Sequence, residues 1–182
     1  MVHVIGISGK AGHGKSTAAG IIESILVNRY SREQVHRVPL AQALKEDVMA
    51  MGFSPYEVTE KPLWMRKLMQ AYGQARRAVD ANHWVGKVAH FVSLIDQRAD
   101  RQFVIIEDVR FLNEASYVKL DALGHLLRVN RMSYKDDTPQ DDSETQLDNY
   151  DSWDKEFWAA SADIRQIEHS CKRFLDQIGL VT

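Results

Sequence analysis

Gly9-Lys10-Ala11-Gly12-His13-Gly14-Lys15-Ser16 follows a short apolar run, His3 to Ser8, and opens a stretch in which Ala18, Ile21, Ile22, Ile25 and Leu26 recur at helical spacing. Strand, glycine-rich turn and helix in that order make a phosphate cradle. The glycines let the backbone curl so that successive N–H groups point inward, and the helix adds its positive amino end. Every fixed position of G-x-x-x-x-G-K-[ST] is filled. Lys15 supplies a mobile charge for β- and γ-phosphates, and the Ser16 hydroxyl suits Mg²⁺. Gly9, Gly12, His13, Gly14, Lys15, Ser16 and Thr17 are therefore the expected nucleotide contacts. Lys10 sits at an unconstrained position of the same loop.

Outward from the loop, strands alternate with helices. Val35 to Pro39 reads as a second strand, followed by a helix from Leu40 to Met51 with Leu40, Leu44, Val48 and Met51 on one face. Residues 54–97 read as two or three helices. Phe103 to Ile106 is a β-branched run suited to a strand buried on both faces. A helix is expected over Asn113 to Leu123, ended by Gly124, and strands at Leu126 to Val129 and Glu156 to Ala160. A last helix, Asp163 to Ile178, would turn Ile164, Ile167, Cys171, Phe174, Leu175 and Ile178 inward. This alternation predicts one α/β domain over residues 1–182: a parallel five-stranded sheet covered on both faces. Two excursions interrupt it, the helical one at about 54–97 and a polar one at about 131–150.

The 182 residues include 23 Lys+Arg and 25 Asp+Glu, a net charge of −2, which argues against a nucleic-acid polymer as partner. No apolar stretch approaches the roughly 20 residues that span a bilayer, so no membrane partner is expected. The single cysteine, Cys171, rules out an internal disulfide and reads as a small buried hydrophobe.

Asp108 ends the Phe103–Ile106 strand, where Mg²⁺–nucleotide needs an acidic second ligand beside Ser16. Glu107 precedes it, and strand alternation keeps both carboxylates from facing the metal equally. Transfer of a γ-phosphoryl group to another phosphate brings two polyanions together, so guanidiniums are required near the loop. Arg66, Arg76, Arg77, Arg110, Arg128 and Arg131 are the choices. Arg131 opens the polar excursion, whose closure would set it over the transferring group.

The string Asp108-Val-Arg110-Phe111-Leu-Asn113-Glu114 closely resembles the DVRFxNE segment of the phage-type deoxynucleoside monophosphate kinases. The resemblance extends to Ser8–Lys15, to Leu68-Met-Gln70-Ala-Tyr-Gly73 with a following arginine and Trp84, and to Ser143-Glu144 in the polar excursion. It implies a three-layer P-loop kinase fold with an acceptor-binding lobe (54–97) and a lid (131–150). It also implies ATP and Mg²⁺, a deoxynucleoside 5′-monophosphate as acceptor, a homodimer, and a cytoplasmic setting (the host's, for a phage-encoded enzyme). Lys15, Arg110 and Arg131 would then be catalytic, and Ser16 and Asp108 would hold the metal. Arg66, Gln70, Arg76 or Arg77, Trp84, Asp108, Arg110, Asn113 and Glu114 would bind the acceptor or buttress its corner.

Two other readings share the loop. One is a different P-loop small-molecule kinase, of the adenylate or dephospho-coenzyme A type. The other is a nucleotide-switched ATPase or GTPase. Against the latter, Asp108 is followed by Val-Arg-Phe rather than by x-x-Gly, and no Asn-Lys pair occurs.

Overall fold

A computed structural model describes residues 1–132, 145–160 and 164–181, with the side chains of 159 and 160 left aside. Five strands form one sheet: β1 (Val2–Ser8), β2 (Val35–Pro39), β3 (Gln102–Val109), β4 (His125–Met132) and β5 (Lys155–Ala160). Their order is β2-β3-β1-β4-β5, and all four pairings are parallel. The glycine loop leaves β1 at the centre of the sheet, beside the carboxyl end of β3. Parallel pairing demands crossovers, and those before β4 are made by the helices α1 (Lys15–Arg29), α2 (Leu40–Ala50), α3 (Pro55–Glu60), α4 (Leu63–Val79), α5 (His83–Asp96) and α6 (Leu112–Ser116), while α7 (Ile164–Gln177) follows the last strand and packs beside α1.

Side-chain alternation along β1 and β3 divides the interior in two. Ile5, Ile7, Phe103 and Ile105 meet Ala18, Ile22 and Leu26 of α1 and Ile167, Cys171, Phe174 and Leu175 of α7. On the other face Val4, Val104, Ile106 and Val109 meet Leu40, Val85, Val88, Val92, Ile95, Ala115 and Val118. Helices cover both faces, which is the three-layer α/β fold expected for a P-loop kinase. A third, small cluster of Val48, Val58, Met65 and Met69 holds α3 and α4 against the end of α2. Within 54–97, helix α5 packs on the sheet, whereas α3 and α4 do not join that layer.

Four expectations need correction. Met51 and Ile164, read as inward-facing, are exposed, each lying at or beside a helix end where the apolar stripe has run past its partner. The helix after β3 is only one turn of α-helix, Leu112–Ser116, which widens into a π-helical turn, Tyr117–Asp121. Its end is set by Leu123 in the left-handed region (φ 49°), not by Gly124. Gly124 serves close approach instead: a Cβ there would lie 2.5 Å from the Val4 carbonyl oxygen. Finally, Arg131 does not open an excursion; it belongs to β4, paired in register with Ala159. Residues 133–144, which include Asp136, Asp137, Asp141, Asp142, Ser143 and Glu144 of the expected lid, lie outside the described residues.

Candidate active site

Helix α1 begins without a conventional cap. Gly14 at its N-cap is left-handed (φ 96°), no side chain accepts from the first turn, and no acidic residue lies there. An uncapped positive helix end suits an anion. The loop is pressed onto β4: a Cβ on Gly9 (φ 149°) would lie 2.4 Å from the Val129 carbonyl oxygen, so glycine is required by contact as well as by conformation. Arg131 fastens the other side, its backbone N–H donating to His13 Nδ1 (3.4 Å) and its Nη1 to the Gly12 carbonyl oxygen (3.4 Å). Lys15 Nζ folds back over the loop, donating to the carbonyl oxygens of Gly9 (2.7 Å) and Lys10 (2.9 Å). Ser16 and Thr17 are exposed on the first turn.

Asp108 reaches this loop through a break in the sheet. Ile7 pairs with Glu107 and Ser8 with Val109, so Asp108 is an extra residue bulged out of β3, at φ 67°. Val109 takes the buried position that strict alternation would have given to Asp108. The displaced carboxylate meets Lys15 Nζ at 3.2 Å and accepts from Arg110 Nε at 2.9 Å. Burial works to raise its pKa, but the Arg110 and Lys15 charges outweigh burial and hold it below the usual carboxylate range. Glu107 faces the opposite layer and pairs with Arg37 at 2.6 Å.

Ser16 and Asp108 offer a hydroxyl and an anionic carboxylate, the hard oxygen donors that Mg²⁺ takes. No group of three His, Cys, Asp or Glu side chains suited to a metal occurs among the described residues.

The chain beyond Asp108 is fixed from behind. Glu114, 3% exposed, accepts from the backbone N–H groups of Arg110 (2.8 Å) and Phe111 (3.1 Å). Burial raises the pKa of this carboxyl, opposed only in part by those donors and Arg77. Arg77 Nη2 lies 3.5 Å from Glu114, and its guanidinium stacks over the Phe111 ring at 3.9 Å. Asn113 Nδ2 donates to the Ala81 carbonyl oxygen at 2.8 Å, tying α6 to the α4–α5 turn. Trp84 is 2% exposed, its indole N–H donating to the Gly73 carbonyl oxygen at 3.3 Å. Trp84 and Glu114 thus stand behind the corner rather than facing a ligand, because burial and existing partners engage them.

Of the remaining arginines, Arg76 donates to His83 (3.3 Å) and Arg66 to the Lys61 carbonyl oxygen (3.0 Å). Gln70 is exposed on α4. Arg128 is occupied by the stretch that precedes β5: it bonds the Leu147 carbonyl oxygen, pairs with Asp148 at 2.9 Å and lies over Trp153. Asp148 also pairs with Lys10 at 2.9 Å, joining the loop to that stretch. Lys45 and Lys61 escaped the sequence reading, which sought guanidiniums. Neither lysine lies in a motif, and only the fold half-buries Lys61 and brings the charges of Lys45, Asp108 and Arg110 to bear on it.

No protein-family model matches the chain, and no curated protein matches it in sequence. Among solved structures, shikimate kinase from Bacteroides thetaiotaomicron is similar over 97% of this chain and 98% of its own, at 16% identity and a TM-score of 0.49.

Proposed function

We propose that the chain transfers the γ-phosphoryl group of ATP to a deoxynucleoside 5′-monophosphate. The observation that supports this reading is the Lys15–Asp108–Arg110 chain of contacts, 3.2 and 2.9 Å long, running from the phosphate loop to the turn after β3. A cationic group from each side of the cleft shares one carboxylate. That arrangement suits a reaction that needs positioning and charge neutralisation more than covalent chemistry.

ATP lies with its β- and γ-phosphates against the Gly9–Ser16 backbone and the bare end of α1. Mg²⁺, held by Ser16 and Asp108, would supply Lewis-acid neutralisation of the phosphate oxygens. Lys15 holds the phosphates being parted. Arg110, its backbone fixed by Glu114, faces the acceptor phosphate, with Arg77 the nearer of the two helix arginines to that corner. Arg76 reaches His83 instead. Arg131, fastened to the loop, neutralises charge from the β4 side. No general base is required, because an acceptor phosphate oxygen is already ionised near neutral pH.

A coupled ADP-release assay with Mg²⁺–ATP and each common deoxynucleoside monophosphate, AMP, modified pyrimidine nucleotides and pantetheine compounds tests this. Acceptor-dependent turnover with deoxynucleotides is expected. Turnover confined to another acceptor would transfer the chain to a different kinase class, and hydrolysis indifferent to any acceptor would favour a nucleotide switch. Lys15→Ala should abolish transfer, and Arg110→Ala should lower it on the order of 10²–10³-fold.

A further inference from the structure

Asp108 sits at φ 67°, a conformation that a non-glycine residue keeps only where its surroundings hold it. A regular pleat would pair Ser8 with Asp108, whereas the structure pairs Ser8 with Val109. That register requires Glu107 to stay on the α1 side of the sheet while Val109 stays on the other. Burial in the cluster of Val104, Ile106 and Ala115 pins Val109. Glu107 is buried too, but a carboxylate stays in an apolar layer only with a partner. Arg37 of β2 is that partner. Its Nε (2.7 Å) and Nη2 (2.6 Å) both donate to Glu107 Oε1. Its Nη1 pairs with Glu23 of α1 at 3.2 Å, and Glu23 also pairs with Arg32. The guanidinium lies against α1 at Gly20, where an added Cβ would sit 3.7 Å from Nη1. Ser16, Gly20 and Glu23 fall at helical spacing on one face of α1. One side chain therefore joins the helix that begins with Lys15 and Ser16 to the strand residue directly before Asp108.

We propose that Arg37 is a positioning residue for Asp108: by holding Glu107 in the α1 layer, it keeps Asp108 bulged toward Lys15. Two pins, one apolar and one ionic, leave the residue between them no place in the ladder. Without the guanidinium, the Glu107 carboxylate would be buried and unpaired, and would turn outward to water. The end of β3 would then relax toward the regular pleat, and Asp108 would leave its 3.2 Å contact with Lys15. Arg37 is itself taken up by two carboxylates, so it acts through Asp108 and not on a substrate.

Protein isotopically labelled at the aspartate side-chain carboxyl carbon reads this geometry without any substrate, the Asp108 signal being assigned by its loss in Asp108→Asn. In Arg37→Met that signal should move. In Arg37→Met/Glu107→Leu it should return toward its wild-type position, since an apolar side chain holds that layer unaided. A signal unmoved in Arg37→Met overturns the proposal. Should Arg37→Met not fold, Arg37→Lys is read in its place: an ammonium lacks the fork that spans both carboxylates, so a displacement is expected and its absence overturns the proposal. The kinetic arm rests on the phosphotransferase reading. Arg37→Met should lower kcat roughly 10- to 100-fold, the cost of misplacing a reacting group by about an ångström, and adding Glu107→Leu should restore most of it. On an Asp108→Asn background, Arg37→Met should cost little more, because the group it positions is already lost. Additive losses, or a loss that Glu107→Leu leaves unrepaired, overturn the positioning role and leave the acceptor reading standing. Absence of deoxynucleotide turnover by the wild type would fail that reading alone, and the carboxyl signal still decides the role of Arg37.

Discussion

Asp108 and Lys15 face each other at 3.2 Å across the seam between β3 and the glycine loop, and the same Asp108 oxygen binds Arg110 at 2.9 Å. The carboxylate is thereby the hub that joins the loop to the turn after β3. Asp108→Asn keeps the shape and removes the charge. Transfer should fall on the order of 10²–10³-fold, with the Mg²⁺ requirement shifted upward. Steady-state kinetics across a Mg²⁺ series would show it, and wild-type-like kinetics would remove Asp108 from the site.

The same pair predicts an acid limb of stability. A carboxyl whose folded pKa is depressed contributes stability that is complete above its unfolded pKa and is lost as pH falls through the folded value. For Asp108 that window begins near pH 4 and extends downward. Thermal unfolding followed from pH 6 to pH 2.5 should show a steeper decline for the wild type than for Asp108→Asn. Parallel curves would mean that the Lys15 and Arg110 contacts contribute nothing to the folded state.

Glu114 makes a different case, since it supports backbone groups. Glu114→Ala strands two half-buried N–H groups and removes the carboxylate beside Arg77, a loss of about 3 kcal/mol or more. For a chain of this length each kcal/mol moves Tm by about 2–4 °C, so a fall near 6–12 °C is expected. Glu114→Gln retains the acceptor oxygen and relieves a carboxylate whose pKa is already raised by burial, so its fall should be much smaller. Equal losses in the two variants would contradict the assignment of the backbone bonds.

These contrasts mark how far the sequence could be read. The loop, the five strands and the face of α1 were legible because phosphate binding and burial each impose a fixed spacing. The place of Asp108 at the end of β3 was legible, but its geometry was not. Alternation puts it on the Val104–Ile106 face, and only a bulge, which has no composition signal of its own here, lifts it toward Lys15. Arg131 read as a lid residue because a polar run follows it, whereas its pairing with β5 depends on contacts distant in sequence. The resemblance set Trp84 and Glu114 at the acceptor corner, and it carries no sign that both are buried there.

Cys171 gives a simple check of the core. Its thiol is fully buried between α7 and α1, and burial, with a smaller contribution from Glu168, pushes its pKa up to about 12. Both effects suppress the thiolate, the reactive form. Native protein should resist an aromatic disulfide reagent at pH 8 and react fully in denaturant, and rapid native labelling would contradict the packing of α7.

The glycines of the loop separate contact from conformation. Gly9→Ala places a methyl group 2.4 Å from a backbone oxygen of β4, which cannot swing aside as a side chain would. At Gly14 an added Cβ meets only the Ile167 side chain, at an ordinary 3.8 Å, so Gly14→Ala bears mainly the strain of φ 96°. That strain is about 1–2 kcal/mol. Gly9→Ala should therefore lose ATP binding, since the loop must lift from Val129 and rotate its inward N–H groups. Gly14→Ala should weaken binding no more than roughly tenfold while retaining transfer. Nucleotide titration of the two proteins by calorimetry decides it: if Gly9→Ala binds ATP as well as Gly14→Ala does, the loop is not seated on β4.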